Sequence, residues 1–202
     1  ARQSIASLQQ NKFMKRYGLI GHPLKHSQSR LYFNEKFEYE GLDCRYQHFD
    51  IKSLDELHDI MAKYPELCGF NVTIPYKESI IPLLDEIDPV AKEVGAVNVV
   101  SINNGKLKGY NTDVYGFEQL LERAINSRDA NHALILGTGG ASKAVQYVLK
   151  QKGIPYPTVS RDTAKGDYTY DTLTDEVLKA NPLIINTTPL GMFPQVDNFP
   201  DL

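Results

Sequence analysis

The residues of this chain that can do chemistry gather in short polar stretches that follow apolar runs. In NVTIPYK, Asn71 to Lys77, a β-branched run passes through a proline and ends on an ammonium group. GAVN ends on Asn98, and GYNTDVYG carries Asp113. A lysine and an aspartate held near one another can bind a hydroxyl group and exchange a proton with it while a hydride moves to or from the same carbon. Lys77 and Asp113 are therefore the candidate catalytic pair, with Thr73 and Asn98 as further candidates beside them. In GHPLKHSQSR, Ser27 and Ser29 alternate after a turn and just before a helix, where hydroxyls and free N–H groups can converge on one anion such as a carboxylate. A serine that simply caps the helix is the competing reading. His22 and His26 read as structural, since no nucleophile or metal partner accompanies them.

The second half carries a different signal. HALILGTGGASKAVQYVLK joins an apolar strand to an amphipathic helix through Gly137, Gly139 and Gly140. Glycines let a pyrophosphate approach the backbone, and the helix N-terminus offers free N–H groups and the positive end of a dipole. Ser142 stands where the third glycine of a dinucleotide fingerprint would be, so the loop is a variant of that motif. At the end of the next strand an acidic residue would bond the adenosine ribose, whereas an arginine would meet a 2′-phosphate. TVSRD puts Ser160 and Arg161 there, and the guanidinium fork suits phosphate oxygens, so NADP is expected over NAD. Asp162 works in the other direction, because a carboxylate there would repel the phosphate or hold the ribose of NAD; NAD stays possible.

Loops of this kind need a frame of alternating strands and helices. Strands are expected over 17–21, 44–50 and 69–75, with helices after Ser27 and over 53–63, which predicts a mostly parallel α/β sheet. Short helical stretches are expected over 75–81 and 88–94, and the Asn-Gly of NNG predicts a tight hairpin between AVNVVSI and KLKGYN. A second α/β unit follows: a helix from Asp113, strands over 132–137, 157–160 and 183–188, and helices to Lys152 and over 175–179. The fold class is thus two α/β domains, with the substrate-binding and catalytic domain over 14–110 and a Rossmann-like NADP-binding domain over 111–202. Residues 1–13 are polar and without period, and read as an extension ahead of an initiator Met14.

Composition excludes several classes. A net charge of −3 lacks the basic excess of a nucleic-acid binder. No apolar run approaches the roughly 18 residues of a membrane span, and no signal-peptide pattern opens the chain. Cys44 and Cys68 form neither a CxxC nor a Cys/His cluster, so they read as reduced thiols, with no metal expected. A cytoplasmic protein with a small-molecule substrate, monomeric or homodimeric, is the expectation.

Taken together and in order, GHPLKHSQS, NVTIPYK, GAVNVV, GYNTDVYG, GTGGASKA, VSRD and NTTPLGM resemble the shikimate dehydrogenase family of bacterial type, from about Met14 to Met192. The resemblance implies NADP-dependent interconversion of 3-dehydroshikimate and shikimate, a step of aromatic amino-acid biosynthesis. It implies that Ser27 and Ser29 hold the substrate carboxylate, that Thr73, Asn98 and Asp113 surround ring hydroxyls, and that Lys77 is the catalytic lysine. Gly137, Gly139, Gly140 and Ala141 match the diphosphate loop, Ser160 and Arg161 an Asn-Arg-Thr adenosine segment, and Thr187, Thr188 and Met192 the nicotinamide side. The family continues past the NFPDL at which this sequence stops, through further strands and a glutamine-bearing helix that returns to the first domain. Two alternatives stand beside this reading: a quinate/shikimate dehydrogenase that also takes NAD, and a non-catalytic protein that binds shikimate and NADP for regulation.

Overall fold

Three strands that are rich in apolar and aromatic residues lie side by side at the centre of the first half. β1 (Lys15–Gly21) is flanked by β2 (Cys44–Asp50) and β3 (Leu67–Val72), all parallel. The crossovers are α1 (Ser29–Tyr39) and α2 (Glu56–Lys63). The chain then makes β4 (Glu86–Ile87), α3 (Pro89–Val94), β5 (Val99–Asn103) and β6 (Lys106–Tyr110). The sheet order is β2-β1-β3-β5-β6-β4, and only β5 runs against the other strands. The hairpin turn is the expected one, with Asn104 at φ 51° and Gly105 at φ 77°, as a type I′ turn requires. Ile20, Val72 and Val100 sit at the centre of the core, almost wholly removed from water. Each such side chain stabilises the fold by about 1.5–3 kcal/mol. The structure, a computed structural model, describes residues 14–125, 131–200 and 202; the expected extension over 1–13 lies outside them.

Several boundaries differ from the sequence expectation. β3 ends at Val72, so Thr73 to Pro75 belong to the loop beyond it. The stretch expected to be helical over 75–81 is a run of turns followed by a single 3-10 turn at Ile81–Leu83. Pro82 sits in the first residues of that 3-10 turn, where a missing N–H leaves no bond unmade. α3 forms as expected: the Asp88 side chain accepts from Val90 N–H, Pro89 is the first helical residue, and Gly95 ends the helix at φ 70°.

The second half contains α4 (Asp113–Ile125), β7 (Ala133–Leu136), α5 (Gly140–Gln151), β8 (Thr158–Val159), α6 (Asp175–Ala180) and β9 (Leu183–Asn186). Its sheet is parallel, in the order β8-β7-β9. β7 is buried along its whole length, as a strand covered on both faces must be. β8 and β9 lie on opposite sides of β7, so the order reverses at the carboxyl end of β7, where open α/β sheets leave a ligand crevice. The halves meet where Ala144 of α5 packs on Val94 and Ala96, with Val114 and Tyr147 alongside. Ion pairs Lys143–Glu78 (2.6 Å) and Lys150–Glu93 (3.6 Å) flank that seam. Among the described residues no helix is long and apolar enough to cross a membrane.

Candidate active site

The reversal at β5 brings four chain segments together at one end of the interior strands of the first sheet. Backbone hydrogen bonds fix them: Thr73 N–H to Ile20 C=O (2.9 Å), Val72 N–H to Asn98 C=O (2.8 Å), Asn98 N–H to Tyr110 C=O (3.0 Å) and Val97 N–H to Lys77 C=O (2.7 Å). The loop after β3, the residues before β5 and the end of β6 that leads into α4 are thereby stitched together before any side chain is considered.

The side chains then complete a network. Lys77 Nζ donates to Asp113 Oδ2 at 2.7 Å, with the lysine side chain 17% and the aspartate 34% exposed. Asn98, 8% exposed, donates from Nδ2 to the other oxygen of Asp113 (Oδ1, 2.8 Å) and to Thr112 Oγ1 (3.0 Å). Its Oδ1 accepts from Thr112 N–H at 2.8 Å. Lys77, Asp113 and Asn98, expected as neighbours from sequence, do meet. Thr112 is a further member, hidden in the sequence because nothing in GYNTDVYG distinguishes a threonine that braces an asparagine from one on the surface. Asn98 spends both amide hydrogens inside the network, so it acts on its surroundings chiefly through Asp113.

Ser27 and Ser29 form their own small cluster: Ser29 N–H donates to Ser27 Oγ at 3.3 Å, and the two hydroxyl oxygens are also 3.3 Å apart. The residue before α1, Gln28, makes no side-chain cap, and Ser27 serves Ser29 N–H instead. No hydrogen bond among the described residues joins these serines to Lys77. The neighbouring His26 ring meets Phe193 edge-on at 5.6 Å, so the segment after β9 reaches the serine loop. Sequence gave no sign of that contact.

Lys77 faces a cleft of about 760 Å³ whose other walls come from the second half. Thr73 and Lys77 line it on one side, and Gly137, Gly139, Gly140 and Ala141, Ser160 and Arg161, and Thr187, Thr188 and Met192 line the rest. The nucleotide-side residues expected from sequence therefore share one cavity; Thr138, Lys165, Tyr170 and Asn186 join them. Gly137 adopts φ +104°, and a Cβ there would lie 2.8 Å from Thr187 Oγ1. Thr187 hydrogen-bonds through both its N–H (2.8 Å) and its hydroxyl (2.7 Å) to Leu136 C=O, tying the loop after β9 to the end of β7. A Cβ at Gly140 would lie 3.0 Å from Lys77 Cβ, so the helix start and the lysine lie against one another.

The far end of the cleft is cationic. Arg161 is exposed, and Asp162, rather than standing alone, pairs with Lys165 (3.2 Å) and accepts from Ala164 N–H (3.0 Å). Those bonds, the Ala164 N–H first, hold its carboxyl below the usual range. Ser160 is buried, its oxygen accepting from Asp162 N–H (3.1 Å), so it shapes the turn. A dinucleotide phosphate fits this set. Space is open above Gly139, α5 presents N–H groups with no acidic residue in its first turn, and Arg161 stands at the far end beside the Asp162–Lys165 pair. No group of three or more His, Cys, Asp or Glu residues among those described could hold a metal ion.

The family model for the shikimate dehydrogenase substrate binding domain matches residues 19–100. A shikimate dehydrogenase (NADP(+)) of Methanococcus maripaludis is 40% identical over 199 residues, spanning 91% of this chain and 71% of that protein. The crystal structure of shikimate dehydrogenase 1 from Peptoclostridium difficile aligns with a TM-score of 0.76 at 37% identity, over 91% of this chain and 70% of that one. Shikimate 5-dehydrogenase of Thermus thermophilus, solved with NADP(H) and shikimate, aligns at a TM-score of 0.72 and 27% identity, over 93% and 73% of the two chains.

Proposed function

The chain belongs to the shikimate dehydrogenase family, and we propose that it interconverts 3-dehydroshikimate and shikimate with NADP as the redox cofactor. The observation that carries this reading is the Lys77–Asp113–Asn98 network set against Gly140 at the start of α5. It puts a proton-exchanging pair beside the loop suited to a dinucleotide. Residues 14–110 form the substrate half and 111–202 the nucleotide half.

Ser27 and Ser29 take the substrate carboxylate, and Thr73 and Asp113 the ring hydroxyls, with Asn98 acting through Asp113. The N–H groups of Gly140 and Ala141 take the diphosphate, Arg161 and Lys165 the 2′-phosphate, and Thr187, Thr188 and Met192 the nicotinamide side. When bound, NADPH supplies a hydride to the carbonyl carbon, and NADP takes it back in the reverse direction. Lys77 Nζ gives a proton to the oxygen of that carbonyl, and takes it back from the hydroxyl on reversal. Asp113 Oδ2 orients the ammonium, and Asn98 keeps Asp113 from turning away. The Asp162–Lys165 pair neutralises the carboxylate that would otherwise repel the 2′-phosphate, which favours NADP. The enzyme acts in the cytoplasm, as a monomer or homodimer.

Shikimate-dependent reduction of NADP, followed by the absorbance of the reduced nicotinamide with NAD run alongside, tests the reading. Lys77→Met should lower kcat by about 10²–10⁴-fold, the range of general acid–base catalysis, while NADP binding persists. Unchanged turnover in that variant would remove Lys77 from the mechanism.

A further inference from the structure

We propose that Asp50, at the end of β2, is the positioning residue for the serine loop and so sets the affinity for the substrate carboxylate; the carboxylate part rests on the function proposed above. Asp50 poses a question by its placement. A carboxylate close to a loop that is to receive an anion is unfavourable unless its charge is committed elsewhere.

Both oxygens of Asp50 are committed. Oδ1 bonds His22 Nδ1 at 2.6 Å, and Oδ2 accepts from Leu24 N–H at 3.1 Å. One carboxylate thus clips two residues of GHPLKHSQS to the sheet end. The hold passes onward through the backbone: Ser27 N–H donates to Leu24 C=O at 3.1 Å, and Ser29 N–H donates to Ser27 Oγ at 3.3 Å. Leu24 itself is buried against Leu19 and Tyr46, which fixes the middle of the relay. The first residue of the loop is fastened a second time, by His22 N–H to Ile74 C=O at 3.0 Å, in the segment that leads to Lys77. The hydrogen bond from His22, then that from Leu24 N–H, and the nearby Lys25 hold the Asp50 carboxyl below the usual carboxylate range, so the charge is engaged at the end of β2. The conformation of the serines therefore depends on a side chain whose hydrogen bonds go to His22 and Leu24 rather than to either serine.

Two measurements on the 202-residue chain test this. Amide hydrogen exchange should show Leu24, Ser27 and Ser29 exchanging faster in Asp50→Asn and faster still in Asp50→Ala, with the amides of β7 unchanged. In turnover assays the shikimate KM should rise on the order of fivefold in Asp50→Asn, about what one charge-assisted hydrogen bond at a half-exposed site supports, while the NADP KM stays at the parental value. If Asp50→Ala does not fold, Asp50→Asn alone decides. Protected loop amides in the folded variants would overturn the relay. Faster exchange with an unchanged shikimate KM would overturn the positioning role, and an equal rise in both KM values would reduce Asp50 to a general stability residue. Parent protein without shikimate turnover would overturn the function proposed above and the carboxylate assignment with it, whereas the exchange rates would still rule on the relay.

Discussion

Asn98→Asp is the sharpest test of the network because it preserves shape and changes only electrical character. The Asn98 amide nitrogen lies 2.8 Å from Asp113 Oδ1; the substitution replaces that donor with a second negative oxygen facing the first. Two unit charges about 4 Å apart interact by about 4 kcal/mol at an effective dielectric constant near 20. The Lys77 ammonium, 2.7 Å from the other oxygen of Asp113, offsets part of that, and the Thr112 hydroxyl can turn to donate to the new oxygen. Thr112 N–H keeps its acceptor. A loss of about 2–4 kcal/mol in unfolding free energy near neutral pH follows. Urea unfolding measures it, and kcat should fall with it, since Asp113 is driven from the geometry that orients Lys77. Like-charged carboxylates are relieved when one takes up a proton, so the deficit should shrink as the pH is lowered toward about 5. Asn98→Ala is the control: it strands Thr112 N–H and one oxygen of Asp113, each at about 1–3 kcal/mol, without this pH dependence. An Asn98→Asp protein within about 0.5 kcal/mol of the parent near neutral pH would refute the reasoning, because that is the scatter of inert surface changes.

Three further outcomes are expected. Gly137→Ala places a Cβ at φ +104° and 2.8 Å from Thr187 Oγ1; it should cost at least about 1–2 kcal/mol in thermal or urea unfolding and raise the NADP KM. Arg161→Ala should raise the KM for NADP about tenfold or more and leave that for NAD unchanged, as loss of a charge-assisted phosphate contact predicts; equal effects on both cofactors would take Arg161 off the 2′-phosphate. The carboxyl of Asp162 is held low by Ala164 N–H and Lys165, so its contribution to stability is present above the unfolded carboxylate value of about 3.9 and is lost as the pH falls through the folded one. Asp162→Asn should therefore flatten the acid limb of a stability profile, and an acid limb identical to the parent's would contradict the pairing.

Much of the frame was legible because the local signals agreed with it. The apolar runs became β1, β3 and β7, Asn104-Gly105 made the hairpin turn, and the glycines after β7 opened α5. The misreadings have physical reasons. β4 is two residues long, too short for a period of two to register, and its pairing with β6 comes from tertiary contact. The helix expected over 75–81 is a run of turns, because a short apolar stretch carries too few repeats for its spacing to tell a helix from a turn. Lys77, Asp113 and Asn98 were visible as polar residues after apolar strands, yet Thr112, Lys165 and the role of His22 were not. Their meaning lies in partners distant along the chain or in a charge balance, and no local pattern encodes either. Asp162 shows this best: read alone it argues against a 2′-phosphate, and only the Lys165 ammonium 3.2 Å away changes its sign.

The stitching of these strand ends also bears on how the protein comes into being. Lys77 and Asp113 are 36 residues apart in sequence, and the backbone bonds that present them reach from Ile20 to Tyr110. Nearly the entire first half must therefore be threaded before the pair exists, and contacts so distant along the chain form late because loop closure must precede them. In a refolding experiment secondary structure would return ahead of the lysine–aspartate pair. Recovered turnover therefore reports the joint assembly of this sheet and the second half that walls the cleft, rather than the return of secondary structure.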